Sequence, residues 1–327
     1  MATGAAASGS VMPWEARVDS TLMSCLRIKY LVVRAPGFAR SFEKSKMKIQ
    51  KHTRVIGPRG LVTIVAFLIG GVTPAFAAPA VLAPHRAVYD LVLDRTKGSS
   101  GIDTAQGRIV FELESGRCKG LVQTFRQLVI LGGGEIGTKV VDSQSITSED
   151  PDGKTMKFSV LNRVGDQPAI ETSGIATKKD TELDVRLSAP IKSVLSFPAT
   201  TSFPGEHYRA LIEAAQAGQT LFSRQVYDGA DEGKSAPDTF AVIGKARALA
   251  PEDRTLLEKA GMTGSAVWPV EIAYFDPGKD PVDEPSYRVS MDLLENGVST
   301  ALRLDYLNFS LKGRLVSLEK KEETPCP

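Results

Sequence analysis

Between Ala87 and Glu319 apolar and polar residues alternate with a period of two, and no other feature restricts the fold as strongly. Ala87, Tyr89, Leu91 and Leu93 alternate with Val88, Asp90, Val92 and Asp94. The same rhythm runs through Ile109 to Glu114, Met156 to Val160 and Leu183 to Ser188. Successive side chains of an extended strand point to opposite faces, so each of these segments predicts a strand with one face buried. Further strands are predicted at Leu121 to Ile130, Thr138 to Thr147, Ser223 to Tyr227, Thr239 to Lys245, Val267 to Phe275, Ser286 to Leu294, Thr300 to Leu311 and Arg314 to Glu319. Asp152-Gly153, Gly165-Asp166, Asp228-Gly229, Asp276-Pro-Gly278, Asn296-Gly297 and Lys312-Gly313 supply the turns. Such short spacers join antiparallel neighbours, because a parallel pair needs a long crossover.

Two segments break the alternation. Pro204 to Gly218 places Tyr208, Leu211, Ile212 and Ala215 on one stripe and ends in Gly, which predicts an amphipathic helix. Pro251 to Gly261 predicts a shorter one, with Glu252 and Asp253 in the first turn where the helix dipole favours acids. The expected architecture is mostly β: a single strongly curved antiparallel sheet, a β-spiral or incomplete barrel, whose concave face is filled or plugged by these helical inserts. Without an internal repeat or a long linker, residues 78 to 327 are expected to form one domain.

The N-terminal quarter has a different character. From Met47 a basic stretch precedes the apolar run Leu61 to Gly71, and Ala75-Phe76-Ala77 follows with Ala78 behind it. This is the layout of a secretory leader spanning 47 to 77, cut between Ala77 and Ala78. The apolar run is about half the length a bilayer core requires, and Pro74 opposes its reading as a buried helix or a retained anchor. Residues 1 to 46 read as a mis-assigned or disordered extension, with Met47 as the expected start.

Export changes both charge and cysteine arithmetic. The whole chain carries 40 Lys and Arg against 38 Asp and Glu, a formal net charge of +2. Removal of residues 1 to 77 takes 11 basic and 3 acidic residues with it and leaves a net charge of −6. Such a product has no basic patch for nucleic acid, is not transmembrane after processing and is expected to be a monomer in the periplasm. Cys25 is lost with the leader, and Cys118 and Cys326 remain. An even pair in an oxidising compartment reads as one disulfide, with two unpaired thiols as the alternative.

Residue chemistry names no reaction. The mature chain keeps two histidines, His85 and His207, and no Gly-x-Ser-x-Gly elbow presents a nucleophile to either. His207 is expected in a surface or hydrogen-bonded packing role in the first helix, and His85 on an edge strand. Gly153-Lys154-Thr155 lacks the earlier Gly of a phosphate loop, since position 148 is Ser. Gly132-Gly133-Gly134 suits a turn or sheet kink better than a dinucleotide site. Asp276, Asp280, Asp283 and Glu284 could gather oxygens for calcium, but their spacing fits a solvated hairpin better. No metal, cofactor or catalytic residue is expected.

Ala83-Pro-His-Arg-Ala-Val-Tyr-Asp-Leu, Gly107-Arg-Ile-Val-Phe-Glu-Leu with Cys118 behind it, Phe203-Pro-Gly-Glu-His-Tyr-Arg-Ala-Leu, Val226-Tyr-Asp-Gly and the terminal Cys326 resemble the EipB family of α-proteobacterial periplasmic proteins. The resemblance spans residues 80 to 327. It implies a β-spiral related in shape to the LolA/LolB and LppX lipoprotein and lipid carriers, a bridge between Cys118 and Cys326, and a role in cell envelope integrity without a known reaction. The expected function is therefore non-enzymatic binding or scaffolding of an envelope lipid, lipoprotein or periplasmic protein. A hydrolase acting on envelope polymers is the alternative.

Overall fold

The computed structural model describes residues 80–326, apart from 99, 135, 263, 265 and 278–283. The extension, the leader and the Ala77–Ala78 junction lie outside the described residues. Eight strands come first: β1 (His85–Thr96), β2 (Thr104–Gly116), β3 (Gly120–Gly133), β4 (Gly137–Glu149), β5 (Thr155–Val164), β6 (Ile170–Lys178), β7 (Glu182–Ala189) and β8 (Ser193–Pro198). Helix α1 (Pro204–Gln216) is followed by β9 (Leu221–Gln225), β10 (Asp238–Ile243) and the two-residue β11 (Arg247–Ala248). Helix α2 (Pro251–Lys259) precedes β12 (Ala266–Phe275), β13 (Tyr287–Leu294), β14 (Ser299–Asp305) and β15 (Phe309–Lys320).

All fifteen belong to one sheet in the order β8-β7-β6-β5-β4-β3-β2-β1-β15-β14-β13-β12-β10-β9, with β11 paired to β12 off this path. Each neighbouring pair is antiparallel, and the meander β1 to β8 meets the meander β12 to β15 where the first strand bonds the last. One row of registered partners, Leu302, Gly313, Leu91, Gly107, Val129 and Val141, crosses six strands on the inner face. That row explains one correction. Lys312-Gly313, expected to be a turn, lies inside β15, and the turn falls at residues 306–308 instead. A Cβ at Gly313 would come within 3.1 Å of both Leu302 and Leu91, so the glycine serves close packing.

Three strands escaped the period-two reading: β6, β8 and the two-residue β11. In β6 the inner positions are Thr172, Gly174 and Ala176 rather than large apolar residues, and β8 is an edge with no fully buried residue. The strand expected at Ser223 to Tyr227 ends at Gln225, and Val226 and Tyr227 leave the sheet. His85 is also corrected: β1 has β2 on one side and β15 on the other, so the residue sits in the interior of the sheet.

The sheet curls around α1. Gly205 bonds Glu149 at the end of β4, His207 bonds Thr239 of β10, and Tyr208 reaches Met291 of β13 and Ser299 of β14. A helix of 13 residues is only about 20 Å long, so it touches strands from both halves of the path only if the sheet wraps it. Leu211 and Ile212 on its inner stripe are fully buried, and Leu257 of α2 joins the same apolar core. Fully burying a Leu or Ile stabilises by about 1.5–3 kcal/mol, so these few side chains hold the helix in place.

The curl does not close into a barrel. Between the edge strands β8 and β9 there is one isolated parallel bridge, Ser202 to Val226. Ser202 N–H donates to the Gln225 carbonyl and Tyr227 N–H to the Ser202 carbonyl, both at 2.9 Å, and the Thr201 hydroxyl donates to the Gln225 side chain at 2.7 Å. At the opposite side of the chain, Cys118 in the β2–β3 turn is joined to Cys326 with their Cα atoms 5.4 Å apart. The bridge lays the tail along β2, where Thr324 N–H donates to the Ser115 carbonyl at 2.9 Å. No helix among the described residues is long and apolar enough to cross a membrane.

Candidate binding site

Both histidines are structural. The His85 Nδ1–H donates to the Ala83 carbonyl at 2.7 Å, its ring lies 5.5 Å from Phe111, and burial holds its pKa below the ordinary value. For His207 the tautomer follows from its neighbour. The Thr239 hydroxyl donates to the Arg224 carbonyl at 2.6 Å, so its oxygen accepts Nε2–H from His207 at 3.1 Å. Burial first, and the Arg224 charge second, push the His207 pKa down to about 4, so the ring is neutral at pH 7. The hydrogen-bonded packing role stands for His207, inside the fold rather than on its surface.

Other sequence candidates are dispersed. Gly153 occupies the β4–β5 hairpin, where strand β5 follows instead of the helix a phosphate loop requires. Gly132 and Gly133 end β3 and Gly134 lies in the turn behind it. Asp280 and Asp283 of the calcium reading lie outside the described residues. Among the described residues no group of three or more His, Cys, Asp or Glu is placed to hold a metal ion.

The inner face carries a second apolar cluster, apart from the one around α1. Met156 and Phe158 of β5, Ala176 of β6, and Leu183, Val185 and Leu187 of β7 form its floor. Phe203, Tyr227 and Ala236 cover it. The cover is a strap, residues 226–237, which leaves the sheet at the Ser202–Val226 bridge and lies across β5 to β7. Tyr227 packs edge-on to Phe158 at 5.5 Å and against Phe197 at 5.2 Å, while Ala230 contacts Val160. Gly229 and Gly233 have positive φ, and a Cβ there would come within 2.3 Å of Phe158 and 2.5 Å of Leu187 respectively. Only glycine lets the strap lie this low. Between them Asp231 and Glu232 hold left-handed φ values of 51° and 55°, which costs energy for residues with a Cβ.

Beside this trough, where the β4–β5 and β6–β7 hairpins meet the start of α1, a cleft of about 480 Å³ opens to solvent. Lys154, Lys178, Lys179 and Arg209 line it together with Asp152, Asp180 and Glu206. Lys178 belongs to both features: its ammonium pairs with Glu206 and lies 4.9 Å above the Phe203 ring. Lys179 is committed to Asp184 at 2.6 Å. Behind the cleft the Glu149 carboxylate accepts the Gly205 N–H at 2.6 Å, and Arg209 is 3.8 Å from its other oxygen. Burial raises the Glu149 pKa against the opposing pull of that amide and of Arg209. Sequence reasoning identified neither strap nor cleft; the two close-set glycines of Asp228-Gly229-Ala-Asp-Glu-Gly233 are the visible trace of the strap.

The chain is thus an open, curled antiparallel sheet that encloses α1, with both histidines buried and a second apolar cluster covered by a strap. Residues 76–322 match the EipB-like family. The chain is 36% identical over 257 residues to the cell envelope integrity protein EipB of Brucella abortus, covering 77% of this chain and 91% of that one. A crystal structure of a beta-barrel-like protein from Brucella abortus superposes with a TM-score of 0.69 at 34% identity, over 74% of this chain and all of that one. The chain belongs to the EipB-like family.

Proposed function

We propose that this is an exported periplasmic protein that supports cell envelope integrity by binding an envelope lipid, lipoprotein or partner protein, without catalysing a reaction. The observation that carries the binding reading is the second apolar cluster, closed on one side only by a loop. The rest of the inner face is occupied by α1 and α2. The name of the Brucella relative supports the envelope role, and the leader layout of residues 47 to 77 together with the Cys118–Cys326 bridge supports the compartment. Both histidines are committed to structural hydrogen bonds, which speaks against a His-based hydrolase. Residues 78 to 327 act in this reading as one unit.

Deletion of the gene tests this function. The deletion strain is expected to lose viability in detergent, and the full chain restores it, whereas a version lacking residues 47 to 77 does not. Full rescue by the leaderless version, or a deletion strain as resistant as its parent, contradicts the proposal.

A further inference from the structure

We infer that the strap gates a site for a zwitterionic phosphate-bearing amphiphile, its chain lying in the trough under residues 226–237 and its headgroup in the adjoining cleft. The inference rests on the binding reading above and adds a ligand chemistry and an entrance to it.

Three observations converge. The trough is apolar along its floor, from Met156 and Phe158 across to Val185 and Leu187, and its width over three strands at about 4.8 Å spacing suits one aliphatic chain. The cover rests on apolar contacts, Tyr227 on Phe158 and Ala230 on Val160, and carries strained backbone at Asp231 and Glu232 that lifting would release. Burying the methylenes of a chain, at about 0.8 kcal/mol each, replaces the contacts the strap gives up.

The cleft supplies the headgroup chemistry. Lys154 and Asp180 both line it, and neither has an ion-pair partner among the described residues. Arg209 is only 3.8 Å from Glu149, and its guanidinium also faces the cleft. A phosphate between Lys154 and Arg209 and an ammonium facing Asp152 and Asp180 would give Lys154 and Asp180 the partners they lack, while Arg209 keeps Glu149 behind it and Asp152 still accepts the Lys154 backbone N–H at 3.0 Å. A purely anionic headgroup would meet those same two carboxylates as like charges. Lys178, stacked over Phe203 at the rim of the trough, connects the wet end to the greasy end.

The test uses the protein expressed from its full sequence and purified without reductant, with lysophosphatidylethanolamine carrying one palmitoyl chain as the probe and native mass spectrometry as the readout. Saturable one-to-one binding is expected, with lysophosphatidylglycerol weaker, and with phosphoethanolamine alone or monopalmitin alone not bound. Asp180→Asn weakens the ethanolamine lipid about tenfold and strengthens the glycerol lipid by relieving the like-charge contact, whereas Lys154→Ala weakens both about tenfold. Both residues are on the surface, so neither change threatens the fold. Val160→Cys with Ala230→Cys pins the strap to β5 and abolishes binding, while each single change retains it. Undiminished binding by the pinned variant overturns the gate. Equal affinity for the two lipids, or no binding of either, overturns the ligand assignment. Those failures leave the detergent phenotype of the deletion strain intact, whereas a failure of the envelope function shows in that phenotype and leaves the lipid result standing.

Discussion

Glu149, the last residue of β4, caps α1 from 56 residues away: its carboxylate accepts the Gly205 N–H at 2.6 Å. A helix start leaves amides without partners, and Phe203 before it has no side-chain acceptor to offer. A buried acid on a strand does the capping instead, and so ties the first meander of the sheet to the helix it encloses.

Glu149→Ala is therefore expected to cost about 1–3 kcal/mol in urea unfolding, because a buried amide loses its acceptor. Glu149→Gln keeps an acceptor and is expected to cost less. The two also differ in pH dependence. Burial raises the folded-state pKa of Glu149 above the ordinary 4.5, so the unfolded chain ionises first as pH rises and stability from this group is lost through that window. Subtracting the Glu149→Gln profile from the wild-type profile between pH 4 and pH 7 is expected to show a decline with rising pH; a difference that rises instead contradicts the burial argument.

His207 contributes in the opposite sense. Its folded-state pKa of about 4 lies below the ordinary 6.5, so the unfolded chain takes up the proton first as pH falls. Its contribution is complete above pH 6.5 and is lost on acidification toward pH 4, by about 3 kcal/mol at most. His207→Gln, which can still donate to Thr239, is expected to flatten the pH dependence of the urea midpoint across that range. An unchanged slope would mean that the ring takes up its proton without penalty in the fold.

Enclosure of α1 by the sheet is checked by Leu211→Ala. The side chain is fully buried in the main cluster, and truncation of a buried Leu costs about 2–5 kcal/mol. A loss below about 1 kcal/mol would place the helix on the outside of the sheet, where such a change is nearly neutral.

Much of this fold is visible in the alternation alone. Strands β1, β2, β5 and β13 repeat apolar residues at every second position because one face of each lies against a helix or the opposite wall. Helix α1 is visible because Leu211, Ile212 and Ala215 share a stripe. Strand β6 is hidden because the strap and Phe158 fill the space above it, leaving room for only Gly174 and Ala176. The candidate site is hidden for a different reason. Phe158, Val185 and Leu187 follow the same period whether they face a permanent core or a removable cover, and Glu149 acquires its role only when a distant helix arrives beneath it.

The Cys118–Cys326 bridge closes a loop of 208 residues, and constraining so long a loop in the unfolded chain is worth about 5 kcal/mol at most. Cys118→Ser, Cys326→Ser and the double variant are expected to lose the same amount in thermal melts, since either change removes the whole cross-link. Unequal losses would show that one thiol contributes apart from the bridge.

Peptide mapping of the native product, isolated by cell fractionation without reductant, tests the account most directly. It predicts a periplasmic chain beginning at Ala78 that yields one cross-linked pair of peptides containing Cys118 and Cys326. A cytosolic chain with both thiols free would contradict it.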